Sequence, residues 1–321
     1  MNVAVTNNSE SEPRHAYGIL GFDVLRFVAV LAVIWFHARA PGSDYTLWHV
    51  PTLVIISVVL ASEYHEHFSM EAVVRKRAKR ILIPWLFWCV VYGVVDIVRV
   101  LFGSPSLVLG SSYFVFLYGP SLHLWFLPYI FLVTVFAACL RNVVIKESKI
   151  NRAAVALLIL VVALWALYVL DGQTWWKELP MPLLQWFSAT PAMCLGVLLA
   201  LLVPFAVWFS KDSRYSLIFV GSGLISCLIA ATLPGLTSFS LVALGLVLLA
   251  STWKGSRTQG IGAFLASITM GVYLVHPTLI TISRMCLAPR YEASVLHAVL
   301  AILLSVLIAS LLVRSPLRQV V

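Results

Sequence analysis

The residues able to do chemistry are few, and three of them share one apolar stretch, YGILGFDVLRFVAVLAVIWFH, residues 17–37. It carries Asp23 and Arg26 inside and His37 at its far end. An α-helix turns about 100° per residue, so the eleven steps from Arg26 to His37 return both side chains to nearly one face. Along the axis they stand roughly 16 Å apart at 1.5 Å per residue. Asp23, three residues before Arg26, is placed to pair with it. A guanidinium binds anions, and an imidazole exchanges a proton near neutral pH. Such groups are costly inside an apolar helix and point to a buried site or a water-filled cavity. Taken singly, Arg26 reads equally well as a snorkelling arginine with a local counter-ion, and His37 better as an interfacial histidine. Their shared face tips the balance modestly toward function.

A second group lies in RKRAKRILIPW, residues 75–85. Arg77 and Arg80 stand i and i+3 where a third helix is expected to begin, and guanidinium forks suit the phosphates of an anionic nucleotide ligand. The plain alternative is a topology signal that also attracts anionic lipid heads. Pro84 follows as a first-turn proline or a kink. His123 opens HLWFLPYIFL, and His276 lies in ASITMGVYLVHPTLI, three residues after Tyr273 and just before Pro277. Proline has no N–H, so Pro277 frees a backbone carbonyl in the preceding turn. Tyr273 and His276 are then either packing glue between helices or part of a cavity wall. His65 and His67 in EYHEH are two apart, on different helix faces, and do not form a zinc-binding HExxH. No metal site, Walker loop, G-x-G-x-x-G or G-x-S-x-G turn is found.

Membrane helices must position these residues. Of 321 residues 61% are hydrophobic and 11% charged, far too apolar for a soluble chain. The expected fold is all-α, a polytopic bundle of about ten transmembrane helices forming a single domain over 17–321, behind a disordered cytoplasmic tail at 1–16. The spans fall near 17–37, 48–62, 81–102, 123–141, 153–170, 186–208, 215–232, 237–253, 261–284 and 294–313. The second is the shortest and the least regular. The first is full spanning length behind a polar start, so it is expected to be retained, with no cleaved signal and no soluble domain appended at the other end. Basic segments at 63–80, 141–152, 211–214, 254–257 and 314–318 alternate with segments poor in Lys and Arg, which places both termini inside. The net charge of +9 therefore sorts loops and does not indicate a nucleic-acid partner. The five cysteines are scattered without CxxC spacing and read as small apolar core residues.

FDVLRFVAVLAVIWFH resembles the R-x10-H opening of acyltransferase family 3, the bacterial membrane-bound acyltransferases, with Arg26 and His37 in the matching positions. RAKRILIPW resembles its R-x-x-R segment. HLWFL, MCLGVLL, GVYLVHP and the terminal RSPLR follow in the family's order, so the resemblance spans Gly18 to Arg318. One departure is that helix two reads ISVVLAS, with Ser57 but without the family's Ser-Gly-Phe, which leaves the packing of that helix open. The resemblance implies a multi-pass protein of the bacterial inner membrane with no tightly bound cofactor. It transfers an acyl group, most often acetyl, from cytoplasmic acyl-CoA to a hydroxyl of a cell-envelope or exported glycan or lipid-linked sugar. In that scheme Arg77, Arg80 and Arg26 hold the donor's phosphates, and Asp23, paired with Arg26, belongs to the same substrate-binding group. His37 is the general base, His123 shares or orients that work, and Tyr273 and His276 bind substrate. Glycan assembly or export proteins are the expected partners. The rivals are a glycolipid or small-molecule transporter or flippase and a non-catalytic assembly scaffold. Against transport stands the lack of visible repeated halves. In the acyltransfer scheme a passage must join the arginine-rich mouth to His37.

Overall fold

The computed structural model describes residues 17–18, 20–61, 69–103, 115–145, 149–203, 207–208, 210, 212–233, 235–256, 260–287 and 293–321. The expected tail at 1–16 and the EYHEH stretch with His65 and His67 lie outside the described residues. Within the described residues ten principal helices follow in order: α1 Leu20–His37, α2 His49–Ala61, α3 Met70–Leu101, α4 Phe126–Ile145, α5 Lys149–Gly172, α6 Thr190–Leu202, α7 Ser213–Thr232, α8 Gly235–Ala250, α9 Ile261–Cys286 and α10 Val295–Val313. Eight described segments are long and apolar enough to cross a membrane; α6 and α8 are shorter apolar helices at the positions of the other two expected spans. Backbone polar groups have no water partners in lipid, and helices satisfy them internally, which is why each apolar run becomes one.

One boundary differs from the sequence expectation, the start of the third helix. The basic run is helical, not a loop before helix three: Ser69 caps α3 by accepting from the Ala72 N–H at 3.3 Å, and the helix then continues through Arg75–Arg80. At 32 residues α3 spans about 48 Å, so its first turns overhang a hydrocarbon core of about 30 Å. Pro84 consequently sits well inside the helix, where it withholds a hydrogen bond from the Arg80 carbonyl.

Among the eight segments of spanning length α9 is the most enclosed, with 56% of its apolar window buried against 22% for α7. It packs against α1 and α10, while α2 is surrounded by α1, α4, α6 and α8. Outward-facing apolar side chains such as Val90, Ile97, Leu157, Leu164, Leu217 and Leu228 lie on α3, α5 and α7, the surface a bilayer would cover. Close approaches depend on small residues, as expected where lipid supplies no hydrophobic drive between helices. A Cβ on Gly21 would run into the Ala250 carbonyl oxygen, and one on Gly196 would sit 2.9 Å from Val58 Cβ. Gly196 thus settles how α2 packs: Ile55 and Val58 press onto α6 at that glycine.

The start of α1 is tied to the end of α8. Tyr17–Gly18 pairs antiparallel with Gly255–Ser256, and the Gly21 N–H donates to Trp253 O at 3.0 Å. The C-terminal turn, Pro316–Val320, returns to α3, where Trp88 Nε1 donates to Val320 O at 2.9 Å. Both described ends therefore lie at the same end of the bundle as the basic run.

Candidate active site

Five cations from three parts of the chain converge on one cavity of about 1120 Å³. Arg26 comes from α1, Lys76, Arg77 and Arg80 from the first turns of α3, and Arg318 from the C-terminal turn. Among the described residues Asp23 is the one acidic side chain in the lining, against these five cationic ones. Asp23 is 1% exposed and stands 3.7 Å from Arg26, which is 18% exposed, as their i, i+3 spacing requires. Overhang of α3 beyond the apolar core is what leaves its arginines at the cavity mouth instead of in lipid. Ser57 of α2 also lines the wall. The rings of Phe126 and Tyr273, 5.5 Å apart, form an aromatic part of the lining.

Behind that layer lies a cluster of imidazoles from separate elements. The His276 ring of α9 is stacked on His37 with centroids 5.4 Å apart, and His123 meets His276 edge-on at 5.1 Å. Tyr273 is 5.6 Å from His276 and 5.7 Å from His123, so its ring separates the cavity from the histidines. His37 ends α1 and is exposed, while His123 and His276 are buried, at 5% and 0% exposure. The cluster is therefore reached past His37, from the end of the bundle opposite the basic run. Among the described residues no group of three His, Cys, Asp or Glu is arranged to hold a metal ion.

Second contacts fix these rings. Ser121 Oγ lies 2.9 Å from His123 Nδ1, and Tyr273 Oη donates to the His123 carbonyl. Tyr92 of α3 stands edge-on to His123 at 5.1 Å and donates its hydroxyl to Leu274 O at 2.7 Å. The carbonyl that Pro277 leaves without a helical donor is that of Tyr273, and His276 Nδ1 lies 2.5 Å from it. A carbonyl oxygen only accepts, so Nδ1 carries the proton and Nε2 the lone pair. His49 of α2, buried at 4% exposure, makes the same kind of contact to Thr46 O at 2.5 Å, its ring 5.7 Å from that of Phe36.

All eight residues singled out in the sequence fall into these two connected groups. Asp23, Arg26, Arg77, Arg80 and Tyr273 line the cavity; His37, His123 and His276 form the cluster. Tyr273 belongs to both groups, lining the cavity and packing against His123 and His276. Lys76 and Arg318 count only as loop charge in the sequence; Ser121 and His49 give no signal there beyond being polar residues near span ends, and Tyr92 none beyond being a tyrosine within a span. Nothing in periodicity predicts that the last turn of the chain folds back beside α3.

Comparison with curated proteins and with solved structures returns no significant match. A family model described as an acyltransferase domain matches residues 19–314, nearly the whole chain. The protein therefore belongs to the acyltransferase 3 family and is a membrane-spanning acyltransferase.

Proposed function

We propose that this protein moves an acetyl group from acyl-CoA to a hydroxyl of a cell-envelope or exported glycan across the bacterial inner membrane. The observation carrying this is the two-sided site: a pocket with five cations, backed through one layer of aromatic rings by a histidine cluster open at the opposite end. The basic mouth faces the cytoplasm under the positive-inside rule, with both termini on that side. Arg77, Arg80, Arg26, Lys76 and Arg318 hold the donor's phosphates in charge-assisted hydrogen bonds. The arm between nucleotide and thioester then spans the roughly 16 Å of α1 between Arg26 and His37. To reach the histidines it must displace the Tyr273 and Phe126 rings.

At the outer end His37 takes the proton of the acceptor hydroxyl as the oxygen attacks the thioester carbon. The new C–O bond forms, the C–S bond breaks, and the leaving thiolate collects the proton from His37. His123, held at Nδ1 by Ser121, orients the acceptor beside it. The test is purified protein in nanodiscs with labelled acetyl-CoA and the carbohydrate fraction of the host envelope. Label is expected to enter glycan with release of CoA, and His37→Ala is expected to lower the rate by about 10²- to 10⁴-fold. Label that crosses the membrane without transfer, or full activity in His37→Ala, would overturn the proposal.

A further inference from the structure

The tautomer of His276 carries information about the acceptor. His276 is fully buried, and Nδ1 is committed as a donor to the Tyr273 carbonyl, which Pro277 has deprived of its usual N–H. Nε2, at the tip of the ring, is thereby left as an acceptor, and it has no hydrogen-bond partner among the described residues. Buried polar atoms of this kind are ordinarily satisfied, so an unpartnered one beside a reaction centre marks where a ligand group sits. The chemistry of that group follows from the tautomer. A carbonyl, a phosphate oxygen or the thioester oxygen brings only lone pairs and would repel Nε2; a hydroxyl donates and fits. The hydroxyl that reacts gives its proton to His37, so the one facing His276 is a different hydroxyl of the same acceptor.

Resting on the acyltransferase scheme above, we infer that Pro277 selects the Nδ1–H tautomer of His276 so that its Nε2 receives a second hydroxyl of the acceptor, next to the one acylated. The ring centroids of His37 and His276 lie 5.4 Å apart, a separation that neighbouring hydroxyls on one sugar ring can bridge. The acceptor class is therefore a polyol or sugar bearing adjacent hydroxyls, not an isolated alcohol.

Two variants test this. His276→Asn keeps an amide N–H near the position of Nδ1 for the Tyr273 carbonyl but removes the acceptor at Nε2. Pro277→Ala returns a backbone N–H to that carbonyl and releases the imidazole to take either tautomer. With labelled acetyl-CoA and the host envelope carbohydrate fraction, His276→Asn should raise the KM for glycan about 3- to 10-fold, the worth of one neutral hydrogen bond. The KM for acetyl-CoA, whose phosphates are held in the basic pocket, should stay at the wild-type value. Pro277→Ala should move the glycan KM in the same direction by about twofold, since it leaves roughly half the rings in the accepting tautomer. An unchanged glycan KM in both variants, or an equal rise in both KM values, would overturn the inference while leaving acyl transfer intact. A wild-type protein that transfers no label to glycan would instead overturn the scheme on which it rests.

Discussion

Tyr273→Phe isolates the barrier between the two halves of the site. The substitution removes one hydroxyl and leaves the ring in place, with its packing on Phe126, His123 and His276 at 5.5, 5.7 and 5.6 Å. What is lost is the hydrogen bond from Tyr273 Oη to the His123 carbonyl. That carbonyl keeps a second donor, the backbone N–H of Phe126, so no buried acceptor is orphaned. The loss is therefore the net worth of one neutral hydrogen bond, about 0.5–1.5 kcal/mol, not the larger cost of an unsatisfied group. If this bond holds the ring across the passage, its removal raises the open population roughly 2- to 13-fold, since 1.4 kcal/mol is a factor of ten. The readout is thiol release from acetyl-CoA with no glycan present, where the only acceptor is water entering from the outer end. That rate should rise within the stated range, with the KM for acetyl-CoA unchanged because the arginines are untouched. A hydrolysis rate equal to wild type in a protein that elutes normally would show that the hydroxyl does not hold the passage shut.

Replacing Arg77 and Arg80 together by Ala should raise the KM for acetyl-CoA about 10- to 100-fold with kcat little changed, below the roughly 160-fold of two charge-assisted hydrogen bonds at about 1.5 kcal/mol each because Arg80 is exposed. The dependence of that KM on salt, measured from about 50 to 300 mM, should flatten in the same variant. Gly21→Ala drives a Cβ into the Ala250 carbonyl oxygen and forces α1 from α8, which should cost about 1–3 kcal/mol and lower the midpoint of thermal unfolding seen by size exclusion. Gly93→Ala on α3, where a Cβ would meet nothing within 4 Å, is its control and should unfold at or above the wild-type temperature.

Local chemistry makes much of this protein legible from the order of its residues. In a bilayer each spanning segment must satisfy its own backbone, so runs of apolar residues translate into helices one by one, and loop charge orders them. The i, i+3 pairing of Asp23 with Arg26 and the common face of Arg26 and His37 follow from helical geometry alone. So does the carbonyl freed by Pro277, although which side chain takes it depends on the rotamer of His276. The motif order from FDVLRFVAVLAVIWFH to RSPLR carries the family.

Tertiary structure decided the rest, because helix period says nothing about which helices meet. Contacts between helices in lipid depend on the shapes of small residues such as Gly21 and Gly196, and these register only when two surfaces are brought together. That meeting stacked His276 on His37, put Tyr273 between the cavity lining and the histidines, folded Arg318 back beside the α3 arginines, and ran the basic stretch into the first turns of α3. The sequence determined which groups are present and on which helix each stands. Only the packing of α1, α3, α4 and α9 decided that they form one basic pocket and one histidine cluster with a single layer of rings between, since that depends on side chains far apart in the chain filling a common volume.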